Sequence, residues 1–168
     1  MNTENPFYQQ EQMPAKPSST LNVITILTII ASILEVPRAV FSYINAAAEH
    51  ERLKTMMSGG DLEKAPDFVK GLVNEKTLHL SEKMLENRVP MLVAFIAGAV
   101  LCLIGAFAMR KLKAQGYSLW MIGELLPIVA TAIFIGVDAF SGLSLIGYIF
   151  PVLFIILYTV HRKELIHS

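Results

Sequence analysis

Glu35 and Arg38 stand three residues apart, with Pro37 between them, in a stretch from Leu21 to Ile44 that carries no other charge. On a helix that spacing puts both side chains on one face, where opposite charges pair. In an apolar setting the pair could hold an ion or a proton, or receive an anionic substrate. The simpler expectation is a structural pair that lowers its own burial cost, with the arginine reaching toward a polar surface. Glu124 lies in another apolar stretch, three residues before Pro127, which removes a backbone donor from the same helix. A carboxyl there could carry a proton. The expectation is instead a tie to the basic run Arg110, Lys111 and Lys113, which is close in sequence. Asp138 falls at the far end of that stretch, beside a turn, and reads as interfacial. Acidic groups at different depths are also what a proton relay would use.

Other chemistry finds little support. Cys102 is the only cysteine, so no internal disulfide can form, and its apolar neighbours disfavour a thiolate. His50, His79, His161 and His167 do not fall in zinc-ligand spacings, and no metal or cofactor is expected. No phosphate-binding glycine loop of the P-loop form and no G-x-S-x-G elbow occurs. An enzyme is therefore not expected. With 14 basic and 14 acidic residues and no basic, aromatic-studded face, neither is a nucleic-acid partner. Ala94, Gly98, Cys102 and Ala106 recur every four residues, a small-residue stripe that lets another helix approach closely.

The elements that must position these residues follow from how charge is distributed. The chain has 168 residues, 54% of them hydrophobic. Fifteen of its 28 charges fall between Ala46 and Arg88, which leaves long apolar runs elsewhere. Runs of about 18 or more such residues read as membrane spans. Four are expected, at 21–45, 89–109, 117–139 and 143–160, and the last two are joined by a tight turn at Phe140-Ser141-Gly142. Helices satisfy their own backbone in lipid, so the β-branched residues in these runs do not argue for strands. The fold class is all-α, a polytopic membrane protein.

Residues 1–20 are polar and contain three prolines, a disordered tail in which Asn5-Pro6-Phe7-Tyr8 reads as a chance turn. The first run is a retained span, because the tail before it lacks the positive flank of a signal peptide. Arg110, Lys111 and Lys113 in the 110–116 loop, with Arg162 and Lys163 in the 161–168 tail, place both termini in the cytoplasm. Tyr117 and Trp120 at that end, and Tyr43 and Tyr148 at the other, suit interfacial anchoring.

Residues 46–88 should form a helical hairpin outside the membrane. Ala46 to Met57 has no breaker, and Ser58-Gly59-Gly60 stops it. Glu49 with Arg52 and Glu51 with Lys54 can pair along its surface. Asp67 to Val73 can make a short helix after Pro66, and Asn74 can cap a further helix leading into the second span.

The segment Met109-Arg110-Lys111-Leu112-Lys113-Ala114-Gln115-Gly116-Tyr117, followed by Gly123-Glu124-Leu125-Leu126-Pro127, resembles a group of small four-span membrane proteins common in Bacteroidota. The resemblance covers the four spans and the outer hairpin. It implies a bacterial inner-membrane location and supplies no catalytic or ligand residues. The expected role is that of a non-enzymatic accessory or interaction protein. Its expected partners are the lipid bilayer and either further copies of itself or another membrane protein. A small transporter or channel using Glu35, Arg38 and Glu124 is the alternative.

Overall fold

The computed structural model describes residues 16–59, 66–141 and 144–165. The expected NPxY turn, Gly60, Gly142 and His167 lie outside that range. Among the described residues the structure is all-helical, and four helices are long and apolar enough to cross a membrane. In chain order the helices are α1 (Ser19–Ser58), α2 (Asp67–Leu72), α3 (Glu75–Glu86), α4 (Arg88–Arg110), α5 (Ala114–Phe134) and α6 (Ser144–His161). Short 3-10 turns follow α5 at Val137–Phe140 and α6 at Arg162–Glu164.

Helix α1 begins where the hydroxyl of Ser18 accepts the Leu21 N–H at 3.2 Å, so Ser19 and Thr20 of the expected tail are helical. It continues for 40 residues, about 60 Å at 1.5 Å per residue. Pro37 lies inside it and leaves the carbonyl of Ile33 without its usual donor. Helix α3 starts at Asn74, whose side chain accepts the Thr77 N–H at 2.9 Å. It lies along the distal part of α1, with His50 Nδ1 and Ser81 Oγ 2.9 Å apart. It is also tied to the end of α5 and the turn after it. Lys76 Nζ is 2.9 Å from Asp138 Oδ1, and Asn87 Nδ2 donates to the Phe134 carbonyl at 3.3 Å. The expected Glu49–Arg52 and Glu51–Lys54 pairs do not form. Their side chains lie on an exposed helix face, where such ties gain little over water.

The closest packing is between α4 and α5. A Cβ built on Gly98 would stand 2.7 Å from the Gly123 carbonyl oxygen, and one on Gly123 would stand 2.7 Å from the Gly98 carbonyl oxygen. Gly105 and Gly116 repeat the same reciprocal contact, again at 2.7 Å. The two glycines are seven residues apart on each helix, which returns them to the same face after two turns. Pro127 also removes the helical donor of the Gly123 carbonyl, the atom that meets Gly98.

Three residues join these helices. The Lys113 N–H donates to the Ala108 carbonyl at 3.1 Å, and the Leu112 N–H to the Met109 carbonyl at 2.9 Å. This is the helix-ending pattern that normally places glycine in the left-handed region. Here Leu112 occupies it, at φ 57°. Its side chain is buried with Leu21, Ile24, Met109, Trp120, Tyr158 and Leu165, and that packing offsets the backbone strain. Because the reversal is so short, the expected 110–116 loop shrinks to Lys111–Lys113. At its other end α5 stops at Phe134 instead of running to Ala139. Gly136 at φ 108° turns the chain out of the helix.

Trp120 is 1% exposed and lies in the core, with its ring centroid 4.4 Å from that of Tyr158. It is therefore not the interfacial anchor expected from its place near the end of the run. With α5 beginning at Ala114, Trp120 is already in the second turn and faces α4 and α6. Helix α6 is held lightly. Tyr158 is its buried hydrophobic residue, while Leu145, Ile149, Phe150, Leu153 and Ile156 are exposed.

Candidate functional site

Helix α1 carries the charged pair in its middle third. Arg38 Nε donates to Glu35 Oε2 at 2.8 Å, and a second guanidinium nitrogen bonds Glu35 Oε1, which makes the contact two-pronged. The guanidinium also lies over the Phe95 ring of α4, 5.2 Å from its centroid. Even so, the Arg38 side chain is 63% exposed against 27% for Glu35. Phe95 comes seven residues after Arg88, which places the pair about 10 Å along α4 from its charged end.

Glu124 is ten residues into α5, about 15 Å from its first residue. That is too deep for the expected tie to Arg110, Lys111 and Lys113, and no such ion pair is present among the described residues. The helix start sets this depth. With the loop only three residues long, α5 begins at Ala114, and Glu124 falls near the middle of the helix. Its recorded side-chain partner is Cys102 of α4, whose Sγ donates to Glu124 Oε2 at 3.6 Å and to the Trp120 carbonyl at 3.7 Å.

The other predicted positions separate. Asp138 is exposed in the turn after α5 and pairs with Lys76. That contact, with Lys83 and His79 further off, holds its carboxyl below the usual carboxylate range. Ala94, Gly98, Cys102 and Ala106 are all buried. Gly98 and Cys102 lie against Gly123 of α5, while Ala94 packs with Met91, Ala130 and Ile135. The closest approach adds Gly105, which the four-residue stripe omits. Thus Glu35 pairs with Arg38, Glu124 with Cys102, and Asp138 with Lys76, in three separate contacts. Among the described residues no group of three His, Cys, Asp or Glu could hold a metal ion.

A row of hydroxyls was not singled out in the sequence. Thr25, Thr28 and Ser32 are all buried on α1. Thr25 donates to the Leu21 carbonyl and Ser32 to the Thr28 carbonyl, each within one turn. Thr28 Oγ1 instead meets the Tyr158 hydroxyl at 2.7 Å, linking α1 to α6. The available signal was the spacing of three small hydroxyl residues at i, i+3 and i+7, one helix face. Beside this row Ser32, Ile33, Val36 and Pro37 of α1, with Ala99, Val100 and Leu103 of α4, line an apolar groove of about 310 Å³.

Comparisons with protein-family models, with curated proteins and with solved structures find no match to this chain.

Proposed function

We propose that the chain is a four-span protein of the bacterial inner membrane, with both termini cytoplasmic, that associates with other membrane proteins and catalyses no reaction. Its length supports spanning. Arg88 and Arg110 bound 21 uncharged residues of α4, and their 22-residue separation rises about 33 Å, close to the hydrocarbon thickness of a bilayer. The distal part of α1 and helix α3 then form a helical hairpin beyond the bilayer.

The observation that carries the interaction reading is Arg38. An arginine well inside a span is costly in lipid, about 2.5 to 3.5 kcal/mol on insertion scales, even before its partner is considered. Glu35 offsets part of that cost, yet 63% of the Arg38 side chain remains uncovered by this chain. Another protein surface on this side of α1 would complete its shielding. Leu34 and Phe41 flank the pair and are 62% and 67% exposed, so they suit a photo-cross-linking residue. In native membranes, cross-linking from either position should give one discrete protein adduct, weakened by Arg38→Gln. Adducts to lipid alone would end the interaction reading.

A second reading is favoured by Glu124, which lies in mid-helix with a thiol as its recorded side-chain partner and no cation paired to it among the described residues. Such a carboxyl could carry protons. Reconstituted protein with a pH-sensitive dye inside the vesicles tests this. Proton movement abolished by Glu124→Gln would promote a transporter over an accessory protein.

A further inference from the structure

The end of the bundle formed by the start of α1, the α4–α5 turn and the finish of α6 is strongly cationic. Ser18 and Glu164 meet there, and Leu21, Leu112 and Leu165 share one core cluster, so these three segments are adjacent. They carry Lys16, Arg110, Lys111, Lys113, Arg162 and Lys163, all exposed. Glu164 is the sole carboxylate among the described residues of these segments, and it is already engaged. The Ser18 N–H donates to Glu164 Oε2 at 3.2 Å and the Ser18 hydroxyl to Oε1 at 2.9 Å. Against six cations this carboxylate leaves an excess of five positive charges among the described residues of these segments. None of the six cations takes part in an ion pair among the described residues. Arg162 is held in place, with its guanidinium 5.3 Å from the Tyr117 ring centroid. The opposite end differs. Between Ala46 and Arg88 seven basic residues are mixed with eight acidic ones.

We infer that this cationic end is a docking surface for the headgroups of anionic phospholipids in the leaflet beside it. The inference rests on the membrane reading given above. Charge complementarity selects the occupant. The cations border the apolar helix ends, which in a membrane would set them at the level of the phosphates, and aromatic Tyr117 lies against Arg162. Each lysine or arginine near an anionic surface favours binding by about fivefold. A cluster of unpaired cations therefore enriches anionic over zwitterionic lipid by a large factor, through a contact that salt weakens.

The test uses full-length protein reconstituted in vesicles of equal parts phosphatidylglycerol and phosphatidylcholine. The lipids that stay bound after mild detergent extraction are then quantified by mass spectrometry. Phosphatidylglycerol should be enriched in the wild type. Enrichment should fall by about tenfold or more when Lys111, Lys113, Arg162 and Lys163 are all changed to glutamine. It should persist when each is exchanged between lysine and arginine, which keeps the charge and guards against misfolding. Changing Arg52 and Lys54 to glutamine at the other end should leave it intact. Equal retention of the two lipids by wild type, or enrichment unaffected by the fourfold change, would overturn the inference. Release of the protein from vesicles by alkaline carbonate would instead refute the membrane reading itself, so the two failures are distinct.

Discussion

Gly98 and Gly123 meet backbone to backbone, each placing its carbonyl oxygen where the other would carry a side chain. A methyl group on either would stand 2.7 Å from an oxygen that belongs to the main chain and cannot rotate away. Gly98→Ala should therefore push α4 from α5 and cost about 1 to 3 kcal/mol. Gly147 of α6 has nothing within 4 Å of the corresponding position. Gly147→Ala should instead stabilise by roughly 0.5 to 1 kcal/mol through helix propensity. Thermal unfolding of both variants in one detergent checks the opposite signs.

Leu112 sets a left-handed backbone against a buried side chain. Leu112→Ala keeps the strained φ and loses the packing, which should cost about 2 to 5 kcal/mol. Leu112→Gly loses the same packing and relieves about 1 to 2 kcal/mol of backbone strain. Glycine should therefore be the milder change, against the usual order in helices. Denaturation midpoints that rank alanine as the milder change would contradict this account of the turn.

The Tyr158 hydroxyl joins α6 to α1 through Thr28. Tyr158→Phe keeps the stack on Trp120 and removes that bond alone, so a loss of about 0.5 to 1.5 kcal/mol is expected. Thr28 can then turn back to its own helix, as Thr25 does. Because α6 has few other ties, faster proteolysis between α5 and α6 should accompany the loss.

Asp138 gives the α3 end of the bundle a defined acid sensitivity. Its folded-state carboxyl is held below the ordinary value, chiefly by Lys76. The stabilisation is thus complete above the unfolded value, about 3.9, and is lost as pH falls through the folded one. Asp138→Asn should lose that stabilisation at pH 7 and remove this part of the acid dependence, so the two proteins converge as pH falls through the folded value. Melting temperatures of both proteins between pH 2 and pH 5 measure it, and superimposable curves would refute it.

Much of the helical framework was legible in the chain. The long charge-poor runs, the Asn74 cap, the stop near Ser58 and the short helix after Pro66 each follow from local chemistry. The depth of Glu124 was not legible, because it depends on a three-residue reversal that places a leucine where glycine is usual. No propensity marks Leu112 for that role; its burial does, and burial is a tertiary fact. The stripe on α4 was read from one helix, so it caught Gly98 and missed Gly105. The seven-residue repeat acquires meaning when Gly116 and Gly123 of α5 are set opposite. Trp120 misled for a related reason, since position along a run does not say which way a ring faces.

The bond between Ser18 and Glu164 joins positions 146 residues apart, almost the full length of the chain. Glu164 leaves the ribosome 146 residues after Ser18, so this tie to the start of α1 must wait for every residue between them. The α4–α5 hairpin needs no such delay, since its glycines face one another across a three-residue reversal. Assembly should therefore begin at the α4–α5 hairpin and reach the Ser18–Glu164 contact later.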